Sequence, residues 1–217
     1  LVVLVGGRLS LQAEVEVARQ PFFWSLYLLC LAGLLGITAT GDAFNVFVFL
    51  EISSLASYAL IAIGRDRRAL WSSYQYLIMG TIGATFILIS IGLMYMMTGT
   101  LNMADLAQRL PAVAESRTIY AAYAFFVVGV CLKLALFPLH LWLPPAHAGA
   151  PAPASAILSA LVIKVPFFII LRLWFELLPV RSEAAATLLA LLGAASILFC
   201  SVVALRQERL KLLVAYS

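Results

Sequence analysis

Four side chains lie where their chemistry is hardest to accommodate. Glu51 interrupts the apolar run FNVFVFLEISSLASYALIAI, Lys133 and Lys164 each sit inside later apolar runs, and His140 follows Lys133. An ionisable group at membrane depth is costly, and by default it marks an ion or proton pathway. A carboxylate in hydrocarbon must be protonated or find a cation, and two lysines are available. Desolvation favours the neutral amine whereas a nearby carboxylate favours the ammonium. A Lys–Glu pair whose separation changes is therefore a proton-transfer site, and one whose separation is fixed is a clamp between helices. His140 can relay protons near neutral pH or, as a histidine near a helix end, bond a loop carbonyl.

The neighbours of these groups sharpen the picture. Glu51, Ser54 and Tyr58 share one helical face at spacings of three and four, a stripe suited to a hydrated groove or to another helix. Pro138 removes a backbone hydrogen bond, and its ring opposes the carbonyl of Leu134. Freed backbone groups at membrane depth need protein or water to satisfy them, so a break beside Lys133 implies a local polar cavity. Pro166, just after Lys164, is a second weak point. His147 falls in the corner PPAHAGAPAP and is expected to brace it, and that corner is too rich in proline and glycine to continue a helix.

The elements that must carry these residues are membrane spans. Of 217 residues 64% are hydrophobic and 11% charged, and the mean hydropathy is +1.06, far from the balance of a soluble domain. Six apolar runs are long enough to span a bilayer: Phe22 to Thr40, Phe44 to Ile63, Trp71 to Met97, Ile119 to Leu143 interrupted by Pro138, Ser155 to Leu178, and Ala184 to Leu205. The expected fold class is thus all-α and polytopic. Between the third and fourth runs, Asn102 or Thr100 caps a short helix that Pro111 ends and that lies along the membrane surface. Asp42 reads as a turn former. Arg172 and Glu176 read as a helix pair, and Gly80, Gly83 and Ala84 as close helix packing.

Six alternating spans place Arg8, Arg19, Arg65, Arg67, Arg68, Arg206, Arg209 and Lys211 at one end and Arg109, Arg117, Arg181 and Arg172 at the other, which makes the RDRR loop cytoplasmic. The net charge of +4 forms no contiguous basic face, so nucleic acid is not the expected partner. Cys30, Cys131 and Cys200 are scattered through apolar runs, without disulfide or metal-ligand spacing. No metal, no cofactor and no nucleophile–base arrangement is expected. The chain opens on Leu1 rather than Met and ends after a fresh basic cluster, which reads as a piece of a longer polytopic protein.

The segments GDAFNVFVFLEISSLASYALIA and KLALFPLHLWLPPAHAGAPAPASAILSALVIK, with the pattern K-x4-P-x-H-x-W-L-P-x-A-H, resemble the proton-conducting antiporter-like membrane subunits. That family includes the D-type membrane protein of Mrp sodium/proton antiporters and the large membrane subunits of respiratory complex I and of membrane-bound hydrogenases. Pro145 departs from the polar residue that relatives often carry before the Ala-His. The resemblance implies a roughly fourteen-helix fold built from two inverted five-helix repeats, each with a broken helix. Residues about 22–178 would form the first repeat, and about 184–217 would begin the second. It implies proton transfer through Glu51, Lys133 and Lys164, assisted by His140, in a hetero-oligomeric complex of the cell (inner) membrane. Protons would be the cargo, with Na+ or K+ as candidate exchanged ions. The Mrp D type is the main reading, a proton-pumping complex I or hydrogenase subunit the second, and a non-conducting membrane scaffold the third.

Overall fold

The computed structural model describes residue 7 and residues 10–64, 66–176 and 183–216, and everything said of structure below concerns those. Arg8, Arg65 and Arg181, the Arg172–Glu176 pair and the proposed repeat end near 178 lie outside the described residues and side chains. A short turn at Val17–Arg19 leads into α1, Gln20–Ala39, where Pro21 sits in the first turn and leaves no ladder bond unmade. There follow α2, Ala43–Ala62, and α3, Arg67–Thr98, which ends on Gly99 in the left-handed conformation (φ 70°). Next are α4, Met103–Val113, and α5, Arg117–Leu134. Two short helices, α6 (Leu143–Gly149) and α7 (Ala152–Ile157), precede a π-helical turn at Leu158–Val162. The chain closes with α8, Lys164–Glu176, α9, Glu183–Leu205, and α10, Leu210–Tyr216.

Six helical segments are long and apolar enough to cross a membrane: Val17–Ala39, Ala43–Ala62, Arg67–Thr98, Arg117–Leu134, Ala152–Leu173 and Ala186–Leu205. The chain is therefore an all-helical, multi-pass membrane protein. The basic ends separate as their sequence positions require. At one end Arg19 donates to the Ile63 carbonyl, and Lys211 donates to the Ala150 carbonyl and lies 3.7 Å from Glu14. At the other, Arg172 donates to the Thr40 carbonyl and Arg109 to that of Thr98. There the α1–α2 turn pairs with the start of α4: Ala43 N–H donates to Leu101 and Met103 N–H to Gly41.

Two expectations about local structure need correction. The corner after Trp142 is helical, in two pieces, because Pro144, Pro145 and Pro153 all fall in first turns, where a missing N–H costs nothing. Only the step through Ala150 and Pro151 is extended. Pro111 lies inside α4 rather than ending it, because α4 runs two residues further, to Val113. Asn102 supplies the cap, accepting from the N–H groups of Ala104 and Asp105, and Asp42 caps α2 by accepting from Asn45. Met103, Leu106 and Leu110 are the buried stripe of α4.

Packing is closest between α3 and α5. A Cβ on Gly129 would stand 2.6 Å from the Gly83 carbonyl oxygen, and one on Gly83 would stand 3.0 Å from that of Gly129 and 3.4 Å from Lys133 Cγ. The small pair thus lets two backbones touch and leaves room for the stem of Lys133. Gly80 faces Tyr58 in the same way, with no space for a side chain beneath the phenol.

Gly129→Val is expected to destabilise the detergent-solubilised protein by about 1–3 kcal/mol, read as a fall in melting temperature. Gly92→Ala, in open space on the same α3, is expected to be neutral or to stabilise by up to about 1 kcal/mol. Equal effects of the two substitutions would contradict the crossing described.

Candidate functional site

Glu51 lies near the middle of α2 and Lys133 in the last turn of α5. The packing of both helices on α3 brings the two together: Lys133 Nζ stands 2.6 Å from Glu51 Oε1 and donates to Ser54 Oγ at 2.8 Å. Ser54 in turn donates to the Leu50 carbonyl one turn back. The environments of the two charges differ. The lysine side chain is 3% exposed and the glutamate 25%, so the cation is enclosed while the anion keeps access to its surroundings.

The helix break sets the electrostatics. α5 stops at Leu134, where the ring of Pro138 forbids continuation. Ala135 takes the left-handed conformation (φ 57°); its N–H donates to Leu132 and that of Leu136 to Cys131. This is a Schellman ending with alanine where glycine is usual. The buried indole of Trp142 donates to the Leu132 carbonyl at 3.0 Å. Stopping there puts Lys133 against the negative end of the α5 dipole, which favours the ammonium. The break therefore both gives partners to the Cys131 and Leu132 carbonyls and supplies a second attraction for the buried charge.

Behind the pair runs a packed polar and aromatic path. Trp142 stacks on Tyr76 at 4.1 Å and 4°, and Tyr76 meets Tyr58 edge-on at 4.4 Å. Tyr76 and Ser57 hydroxyls are 3.2 Å apart, and Ser73 donates to the Tyr58 carbonyl. The hydroxyl of Tyr58 is buried without a hydrogen-bond partner among the described residues. Of the expected stripe, then, Ser54 joins the ion pair directly and Tyr58 only lies nearby on the same helix.

The remaining candidates separate. His140 is 5% exposed, ringed by Phe137, Phe199 and Tyr216, with Nδ1 unbonded among the described residues. No hydrogen bond among them connects it to Glu51 or Lys133. His147 is buried at 2.8 Å from Ser155 Oγ, tying α6 to α7 as a brace. Burial pushes its imidazole pKa down, so near neutral pH it is the uncharged ring. Lys164, placed by its run inside the membrane, opens α8 with an exposed side chain, on the face that also exposes Leu161, Phe167 and Phe168. It is not enclosed with the Glu51–Lys133 pair. Pro166 shapes its approach. The proline lacks the N–H that would bond to Val162, and the preceding turn widens to a π-helix, in which Ile163 N–H reaches the Leu158 carbonyl. Such widened turns are frequent at functional positions.

Trp142, Tyr76 and Ser57 join the site without having been marked by the sequence pattern. Trp142 carries a usable signal: a tryptophan at a helix break in an apolar run must find an acceptor for its N–H. Tyr76 and Ser57 carry no such mark.

Residues 40–217 match the family model described as NADH:quinone oxidoreductase/Mrp antiporter, TM. The N-type subunit of the NADH-quinone oxidoreductase of Desulforudis audaxviator is 47% identical over 92% of the chain. The D-type subunit of the Na(+)/H(+) antiporter of Alkalihalophilus pseudofirmus is 32% identical over 91%. The chain spans 40% of the length of each. A chain of the archaeal membrane-bound sulfane sulfur reductase superposes with a TM-score of 0.84 at 35% identity, over 88% of this chain and 39% of that one.

The unequal burial of the pair gives an asymmetric expectation. Glu51→Leu strands an enclosed ammonium and should cost about 3–5 kcal/mol, read as thermal stability in detergent. Lys133→Met leaves a less enclosed carboxylate that can take up a proton and should cost clearly less, and the double substitution should recover most of the loss. Equal single effects with no recovery would show that the two side chains do not act on one another.

Proposed function

Because the chain belongs to the NADH:quinone oxidoreductase/Mrp antiporter transmembrane family, we propose that it forms one proton-conducting unit of a multisubunit monovalent cation/proton antiporter of the Mrp D type. The observation that carries this reading is the enclosed Lys133 paired with the partly accessible Glu51 at a helix break. A proton arriving near His140, whose ring Nδ1 is unbonded among the described residues, would be passed toward Lys164. Charge movement between Glu51 and Lys133 would tune the proton affinity of Lys164. The exposed position of Lys164 beside the π-turn suits a group that hands its proton out of this unit. Residues about 22–178 would be one inverted repeat and about 184–217 the start of the next, in a protein of the cell (inner) membrane that works with other membrane subunits. Protons, with Na+ or K+ as the exchanged ion, would be the cargo.

A second reading has its own support: the 47% identical relative is named as part of an NADH-quinone oxidoreductase. There the same proton unit would be driven by redox subunits. Affinity purification of the intact protein separates the two, since co-purifying iron–sulfur subunits would favour the second and small membrane subunits the first.

Lys164→Ala or Lys133→Ala in the intact protein, reconstituted in vesicles, should abolish proton-coupled transport without loss of assembly. Glu51→Gln should lower turnover at least tenfold, or about a hundredfold if it acts as one well-placed proton-transfer group. Normal transport by both lysine variants would sink the proposal, since conduction would then not pass through these lysines.

A further inference from the structure

The outer face of α3 carries a groove that the proton path does not use. Its basic end, a hollow of about 790 Å³, is lined by Arg67, Arg68, Trp71 and Tyr74. A second hollow of about 300 Å³ shares Trp71 and Tyr74 and continues over Ile78 to Leu141 of the broken-helix loop. Neither guanidinium has an ion pair or hydrogen-bond partner from its side chain among the described residues. Trp71, Tyr74, Ile78 and Leu141 are 60%, 53%, 38% and 71% exposed. Asp66, the carboxylate adjacent in sequence, makes no side-chain cap to α3, so the start of this helix sets two cations against one anion.

The order along the groove is that of a phospholipid. Two cations come first, then two aromatic rings of the kind that sit at headgroup level, then apolar side chains. From Arg67 to Ile78 α3 rises about 17 Å at about 1.5 Å per residue, close to half of a hydrocarbon core of about 30 Å. A soluble phosphate would use only the first part, and an apolar ligand only the last. We propose that this groove binds one anionic glycerophospholipid, its phosphate on Arg67 and Arg68 and an acyl chain along Ile78 and Leu141. Because Leu141 adjoins Trp142, the residue that caps the broken α5, the lipid would line the outer wall of the break.

The test uses the intact protein in nanodiscs of phosphatidylcholine containing a minor fraction of phosphatidylglycerol, with retained lipid counted by mass spectrometry after purification. The wild type should enrich phosphatidylglycerol about tenfold or more, Arg67→Gln with Arg68→Gln should lose that preference, and the lysine versions of both should keep most of it. Ile78→Trp, which fills the groove and leaves the arginines, should also reduce retention. An undiminished preference in the double glutamine variant, displacement by excess inorganic phosphate alone, or unchanged retention in Ile78→Trp would each overturn the assignment.

Discussion

The contact between Lys133 and Glu51 is the constraint to which the surrounding structure answers. An ammonium that is 3% exposed must be compensated from every side, because a buried charge left unpaired costs several kcal/mol. The carboxylate provides most of that, Ser54 one more acceptor, and the carbonyl end of α5 a favourable field. Each of these depends on another feature. The dipole acts there because α5 stops at Leu134, the stop is imposed by Pro138, and the Cys131 and Leu132 carbonyls at that end are met by Ala135, Leu136 and Trp142. The space for the lysine stem exists because Gly83 and Gly129 let α3 and α5 meet backbone to backbone.

A buried ion pair is a poor way to gain stability, since desolvation offsets most of the attraction. An apolar pair of similar volume would hold α2 and α5 together at least as well. What an apolar pair cannot do is exchange a proton. The asymmetric burial suits such exchange: the glutamate keeps access to its surroundings, whereas the lysine's charged form is favoured by its polar contacts and opposed by its desolvation. On the proposed reading, displacing Glu51 withdraws the largest of those contacts and shifts the lysine toward releasing its proton.

Much of this is legible in the residues because hydrocarbon leaves few options. Apolar run length alone marks six spans, and the separation of basic residues marks their alternation. Pro138 announces the break, since no helix accommodates its ring against the Leu134 carbonyl. The corner after Trp142 misleads for a physical reason: proline density looks like a breaker until the prolines fall in first turns, where they are harmless, and only the register of the fold decides that. The surroundings of Lys164 are not legible for another reason. Depth along a run says how far a residue is from the membrane surface, but the side of the helix on which it emerges is set by the neighbouring helices. The pairing of Glu51 with Lys133 rather than with Lys164 likewise needs the α3–α5 crossing, which small residues permit but do not specify.

The most direct measurement is isotope-edited infrared spectroscopy of Glu51 in the intact protein, reconstituted and then exposed to a proton gradient. At rest the account predicts the carboxylate stretch of an ionised Glu51 paired with an ammonium. Under proton load it predicts a transient change in that band, absent in Glu51→Gln, as the pair separates and re-forms. A Glu51 band that stays constant while protons are being moved would contradict it, and would make the pair a static clamp.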